Sequence, residues 1–134
     1  MANALYDKGR DKFLNGDIDY TADTLRVYLI DTDDYTVDLV NHEFLSEVAA
    51  GSRVAYAVLA GKSTAAGVAD ATDTVLSSVT GDQSEALLLC KYTGTDSTSA
   101  LFGWIDTATG LPVTPNGGDI TITWDDGANK IFKL

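Results

Sequence analysis

The sequence predicts a mainly β protein: a compact antiparallel β-sandwich or barrel-like domain with an N-terminal helix and one short internal helix. Three observations lead there. Apolar and polar residues alternate in short runs, with Leu25, Val27 and Leu29 in one and Ile120, Ile122 and Trp124 in another. That period of two is the signature of a strand. Such runs recur at short intervals, separated by Gly, Asp and Ser, as in sandwiches and barrels. The acids are 17 Asp against only 3 Glu. Asp competes with the helical backbone for hydrogen bonds and suits turns and caps, whereas Glu suits helix surfaces.

The opening nineteen residues, MANALYDKGRDKFLNGDID, are the best helix candidate. Ala2, Leu5, Tyr6, Gly9 and Phe13 recur at three- and four-residue steps and would share a face. Gly16 is placed to cap the end. Gly9 costs about 1 kcal/mol relative to Ala inside a helix, which points to close packing against another backbone or to a helix stable only when docked. A first strand is expected over Thr24–Thr32, ending at Asp31, Asp33 and Asp34. Asn41–Ala50 has Phe44, Leu45 and Val48 at helical spacing and would stop at Gly51. Further strands are expected over Arg53–Ala60, Thr74–Val79, Glu85–Thr93 and Ala100–Asp106, with loops at 61–73 and 94–99. The chain would close on a hairpin, its strand Ile120–Trp124 turning through Asp125–Asn129, with Gly127 available for a positive φ, and returning through Phe132 and Leu134. The division expected is one domain over 1–134, with a helical segment 1–16 before a β core 20–134.

A net charge of −11 with no basic cluster argues against nucleic acid as a partner, because phosphate neutralisation needs grouped Lys and Arg. It also disfavours anionic membranes. The longest apolar runs, Val54–Ala60 and Ala86–Cys90, are far too short to span a bilayer. No charged-then-apolar leader precedes residue 20, and a single cysteine makes no internal disulfide. The expectation is synthesis in a reducing compartment.

Candidates for chemistry are few. His42 is the only histidine, so a multi-histidine metal site is ruled out, and it reads as a solvated or capping residue near a helix start. Cys90 sits in an apolar run and reads as core. Asp31, Asp33 and Asp34 are weak calcium candidates, lacking the glycine of an EF-hand loop. No glycine-rich phosphate loop or Gly-x-Ser-x-Gly elbow is present. No catalytic residue and no cofactor is expected. Most aromatics fit a sheet core. The candidates for a partner surface are Leu5, Tyr6 and Phe13 in the opening segment, with Tyr20, Tyr35 and Trp104.

The opening MANALYDKGRDKFLNGDID, the central DTDDYTVDL and HEFLSEV, and the ending GLPVTPNGGDITITWDDGANKIFKL resemble small virion proteins of tailed phages and prophages. The resemblance implies a non-enzymatic structural protein, made in the host cytoplasm and carried in the virion. It points to a capsid decoration (cement) protein that binds the major capsid protein or other virion proteins as a homo-oligomer, symmetric by default, and the resemblance favours a trimer at a capsid symmetry axis. A neck or tail component fits the same resemblance. In the decoration reading, residues 2–16 would order on contact with the partner. From another class, a small β-sandwich module for carbohydrate or host surfaces would need exposed aromatics and calcium. A hydrolase ranks third.

Overall fold

The computed structural model describes residues 3–134. The protein is mainly β, with every strand pair antiparallel, as the alternation predicts. In chain order the elements are β1 (Ala4–Leu5), α1 (Asp7–Leu14), β2 (Leu25–Ile30), β3 (Arg53–Val58), β4 (Ser63–Ala65), β5 (Val68–Asp70), β6 (Thr74–Leu76), β7 (Ala86–Lys91), β8 (Ala100–Ile105), β9 (Ile120–Ile122) and β10 (Phe132–Lys133). They form a five-stranded sheet of order β1-β8-β7-β2-β3, a three-stranded sheet β10-β5-β4, and the pair β6-β9.

The large sheet is covered on both faces, which explains why β2 and β7 are buried almost end to end. Leu25, Val27 and Leu29 of β2 share one face with Leu87 and Leu89 of β7, against Phe102, Leu76 and Trp124. Tyr28 and Ile30 share the opposite face with Ala86, Leu88, Cys90 and Trp104. Residues 31–52 roof part of this second face, where Tyr35, Leu45 and Val48 are buried. Each such large side chain removed from water contributes about 1.5–3 kcal/mol.

Helix α1 lies on the backbone of β8. A Cβ at Gly9 would stand 2.5 Å from the Leu101 carbonyl oxygen and 2.6 Å from Phe102 Cα. Only glycine fits, so the helix-propensity penalty is offset by close approach, as the sequence suggests. Phe13, one turn on, packs edge-on to Phe102 with ring centroids 5.4 Å apart. Gly16, at φ +78°, ends the helix as expected.

Four expectations are corrected. Leu5 and Tyr6 lie outside the helix: Leu5 pairs with Gly103 as a strand, and Tyr6 is extended, at φ −67° and ψ 138°. The Tyr6 N–H donates to the Phe102 carbonyl instead of entering a helical turn. Ala2 falls outside the described residues. The internal helix over Asn41–Ala50 is replaced by two 3-10 turns, Leu45–Glu47 and Ala50–Ser52. The backbone there is already engaged, because Leu101 N donates to Glu43 O and Leu45 N to Ser99 O.

The expected 61–73 loop contains the hairpin β4–β5. Its two-residue turn, Ala66 and Gly67, has positive φ at both positions, 53° and 77°, the geometry that matches strand twist. The terminal strands exist, but not as a hairpin with each other. Strand β9 pairs with β6 and β10 with β5. Between them Trp124 N donates to Asp73 Oδ1 at 3.0 Å, and Lys130 sits 3.2 Å from Asp70. Lys130, at φ 45°, takes the left-handed position expected of Gly127.

Candidate functional site

Three places hold the side chains that could act or bind. The first lies under the 31–52 roof. The Tyr6 and Tyr35 hydroxyls are 2.9 Å apart, and the Tyr35 hydroxyl is 2.8 Å from His42 Nδ1. The Tyr35 ring packs edge-on to Trp104 at 5.7 Å. Burial, the largest cause, pushes both phenols above their ordinary value. They stay neutral at physiological pH, as hydrogen-bonding groups rather than bases. Asp38 and Glu47 hold the roof turns. Asp38 accepts from the Asn41 side chain at 2.9 Å. Glu47 Oε2 accepts from the Phe44 N–H at 2.9 Å and from the Glu43 N–H. Partial burial would raise the Glu47 carboxyl, but these backbone donors outweigh it and lower it. The only histidine thus ends a structural chain from the surface to Tyr6, rather than capping a helix. Cys90 is buried, and desolvation pushes its thiol up to about 12, which removes the thiolate a nucleophile needs.

The second place is acidic. Carboxylate oxygens of Asp31, Asp34 and Asp82 lie within 4.8 Å of one another. The set expected from sequence was Asp31, Asp33 and Asp34. The loop before β7 supplies Asp82 in place of Asp33, whose own N–H is turned onto Asp31 Oδ1 at 2.9 Å. Calcium takes about six to eight oxygens, so three carboxylates are an incomplete shell.

The third place went unmarked in the sequence. Arg26 enters between two tyrosine rings at the uncovered end of the second face. Its guanidinium carbon lies 3.4 Å from the Tyr92 ring centre and 4.0 Å from that of Tyr56. Nη1 donates to the Tyr28 hydroxyl at 3.1 Å. The antiparallel register explains the meeting: Arg26 faces Val58 on β3 and Cys90 on β7. Tyr56 and Tyr92 are therefore its diagonal neighbours, within reach of a long side chain. Arg26 has no carboxylate within ion-pair distance among the described residues. Lys8, Lys62 and Lys133 share this, whereas Arg10, Lys12, Arg53, Lys91 and Lys130 each pair with an acid. Arg26 Nε is the one buried side-chain polar atom among the described residues with no hydrogen-bond partner. Beside it, Tyr56 is 53% exposed and Val58 50%.

None of the six partner-surface candidates lies at the Arg26 patch, and three of them, Tyr6, Tyr35 and Trp104, belong to the roofed cluster. Leu5, Tyr6, Tyr20, Tyr35 and Trp104 are buried within the chain. Phe13 is half-buried against Phe102 and Phe132. Their hydrogen bonds point inward: Tyr20 donates to Asp70 O at 2.9 Å and Trp104 Nε1 to Asp106 at 3.0 Å. In this fold they are core side chains, because both faces of the large sheet are covered where they lie. A cleft of about 950 Å³ also opens beside β9, lined by Ile105, Val113, Ile120, Trp124 and Ile131.

No family model matches the chain, and no curated protein matches it.

Proposed function

We propose that the chain is a non-enzymatic structural protein of a tailed-phage virion, decorating the head as a symmetric oligomer bound to the major capsid protein. The observation that carries this reading is where the reactive groups are. His42 and Cys90 are tied to the interior, and the phenols of Tyr6 and Tyr35 are held neutral. What faces outward is dense acidic charge and one aromatic patch, Arg26 with Tyr56, Val58 and Tyr92. A surface of that kind binds rather than reacts. The wording of the opening, central and closing segments supports a virion component in particular.

Immunogold labelling of intact source particles with an antibody to this chain tests the reading. Label spread over the head supports decoration. Label at one vertex or along the tail moves the protein to the neck or tail. Unlabelled particles that contain their other structural proteins overturn the virion reading.

The half-exposed Tyr56 ring favours a second reading, a carbohydrate or host-surface module, since sugars pack on exposed aromatic faces. A rise in melting temperature with millimolar calcium, reversed by chelator, would support that reading.

A further inference from the structure

We propose that the Arg26 patch is a self-association surface whose occupant is the Asp31–Asp34–Asp82 cluster of a second copy of the chain. The proposal deepens the structural-protein reading, and it rests on that reading only for where the assembly is used.

Two features of opposite charge are without an ion-pair partner among the described residues. Arg26 is a guanidinium without an acid among the described residues, in a chain of 20 acids and 9 bases. It is flanked on both flat sides by Tyr56 and Tyr92, which fixes its plane, and with Nη1 on the Tyr28 hydroxyl and Nε buried it leaves Nη2 for a further acceptor. An arginine held in this way suits a carboxylate through a charge-assisted N–H bond. At the other end of the same strand, Asp31, Asp34 and Asp82 crowd three carboxylates together, with no basic side chain in ion-pair distance among the described residues. The two features cannot meet within one chain. From Arg26 to Asp31 the strand advances five residues, or about 17 Å.

Between copies they match. With base at one end of β2 and acids at the other, the pairing is made twice in a two-fold dimer or once per contact in a head-to-tail ring. A cyclic oligomer, the trimer included, is built from such contacts. Tyr56 and Val58 then supply apolar area around the charge pair, excluding the water that would screen it. Copies that each carry −11 repel one another, so association needs a specific attraction at the contact.

Sedimentation velocity of the full-length chain, over a range of concentrations, tests this. The wild type should associate in about 0.1 M salt, where screening extends about 10 Å, and less in about 1 M, where it falls to about 3 Å. Arg26→Asp and, separately, Asp34→Lys should each weaken association by about tenfold or more. The double variant Arg26→Asp/Asp34→Lys should recover much of it. Asp34 is exposed, so its variant tests the contact even if loss of Arg26 disturbs folding. Lys8→Asp, with the same change in net charge as Arg26→Asp, should associate as the wild type does. A wild type that stays monomeric throughout overturns the proposal. So does association by both single variants at wild-type strength, or a Lys8→Asp chain that dissociates as far as Arg26→Asp. Head labelling of particles alongside a monomeric chain would sink this inference while leaving the virion reading in place.

Discussion

Two aromatic clusters share one face of the large sheet and are built from the same residue types, yet they have opposite characters. Under the 31–52 segment, Tyr6, Tyr35, Trp104 and His42 form a closed set in which each polar end has a partner. At the uncovered end, Tyr28, Tyr56 and Tyr92 surround Arg26, whose Nε has none. Cover decides the difference. A roofed tyrosine contributes to folding through burial and a satisfied hydroxyl. An unroofed one beside a charge keeps surface available for a partner. On this sheet, residue type alone does not separate core from interface.

The sharpest way to break the covered cluster is Trp104→Ala. Trp104 is 1% exposed and touches both the roof and the sheet, so truncation should cost about 3–5 kcal/mol. Against a total of about 5–15 kcal/mol for a domain, that is a large loss, readable as a fall in the urea midpoint. Tyr35→Phe is gentler: it keeps the ring but strands the Tyr6 hydroxyl and the His42 nitrogen. The expected cost is about 1–3 kcal/mol, measured the same way.

Alkaline pH reads the same cluster without mutation. Tyr6, Tyr35 and Cys90 all have raised folded-state values, chiefly through burial. Below their ordinary values, 9.0 for the thiol and 10.0 for the phenols, both states hold these protons and stability is independent of them. Above those values the unfolded chain releases protons that the folded chain keeps, so stability falls as pH rises. Melting temperature should therefore decline from about pH 9 upward, as the thiol and then the phenols reach their ordinary values. It should decline less steeply for Tyr35→Phe than for the wild type.

The contrast between the clusters also marks how far the sequence could be read. The alternation around Leu25, Val27 and Leu29 and the apolar run at Ala86–Cys90 identified the central strands, because burial imposes the pattern locally. Gly9 was legible for a similar reason: a glycine inside an apolar helical face has few explanations besides close approach. Pairing was not legible. Nothing near Ile120 says that its partner is Thr74–Leu76 rather than the strand that follows it. Ser63–Ala65 carries no apolar alternation, and its Ala66–Gly67 turn lacks the usual asparagine or aspartate. The helical spacing of Phe44, Leu45 and Val48 was real, but backbone pairing with residues 99–101 overrode it. As for the site, Arg26 reads locally as one polar residue in a strand. Its meaning depends on Tyr56 and Tyr92, which only the register brings alongside.

The smallest expected effect on stability tests the open cluster. Tyr56→Ala removes a ring that is half in water and one of the two flanking Arg26. A cation–π contact at an exposed site contributes about 0.5–1 kcal/mol, and the Tyr28–Tyr56 ring contact at 5.5 Å adds to it. Tyr92 still lies against the guanidinium, so the fold should lose about 1 kcal/mol or less in urea denaturation. If the ring belonged to the core, as Tyr35 does, the loss would reach several times that value. A small loss of stability together with a clear loss of self-association would assign Tyr56 to the interface. The two measurements on one variant separate the roles that cover imposes on these clusters.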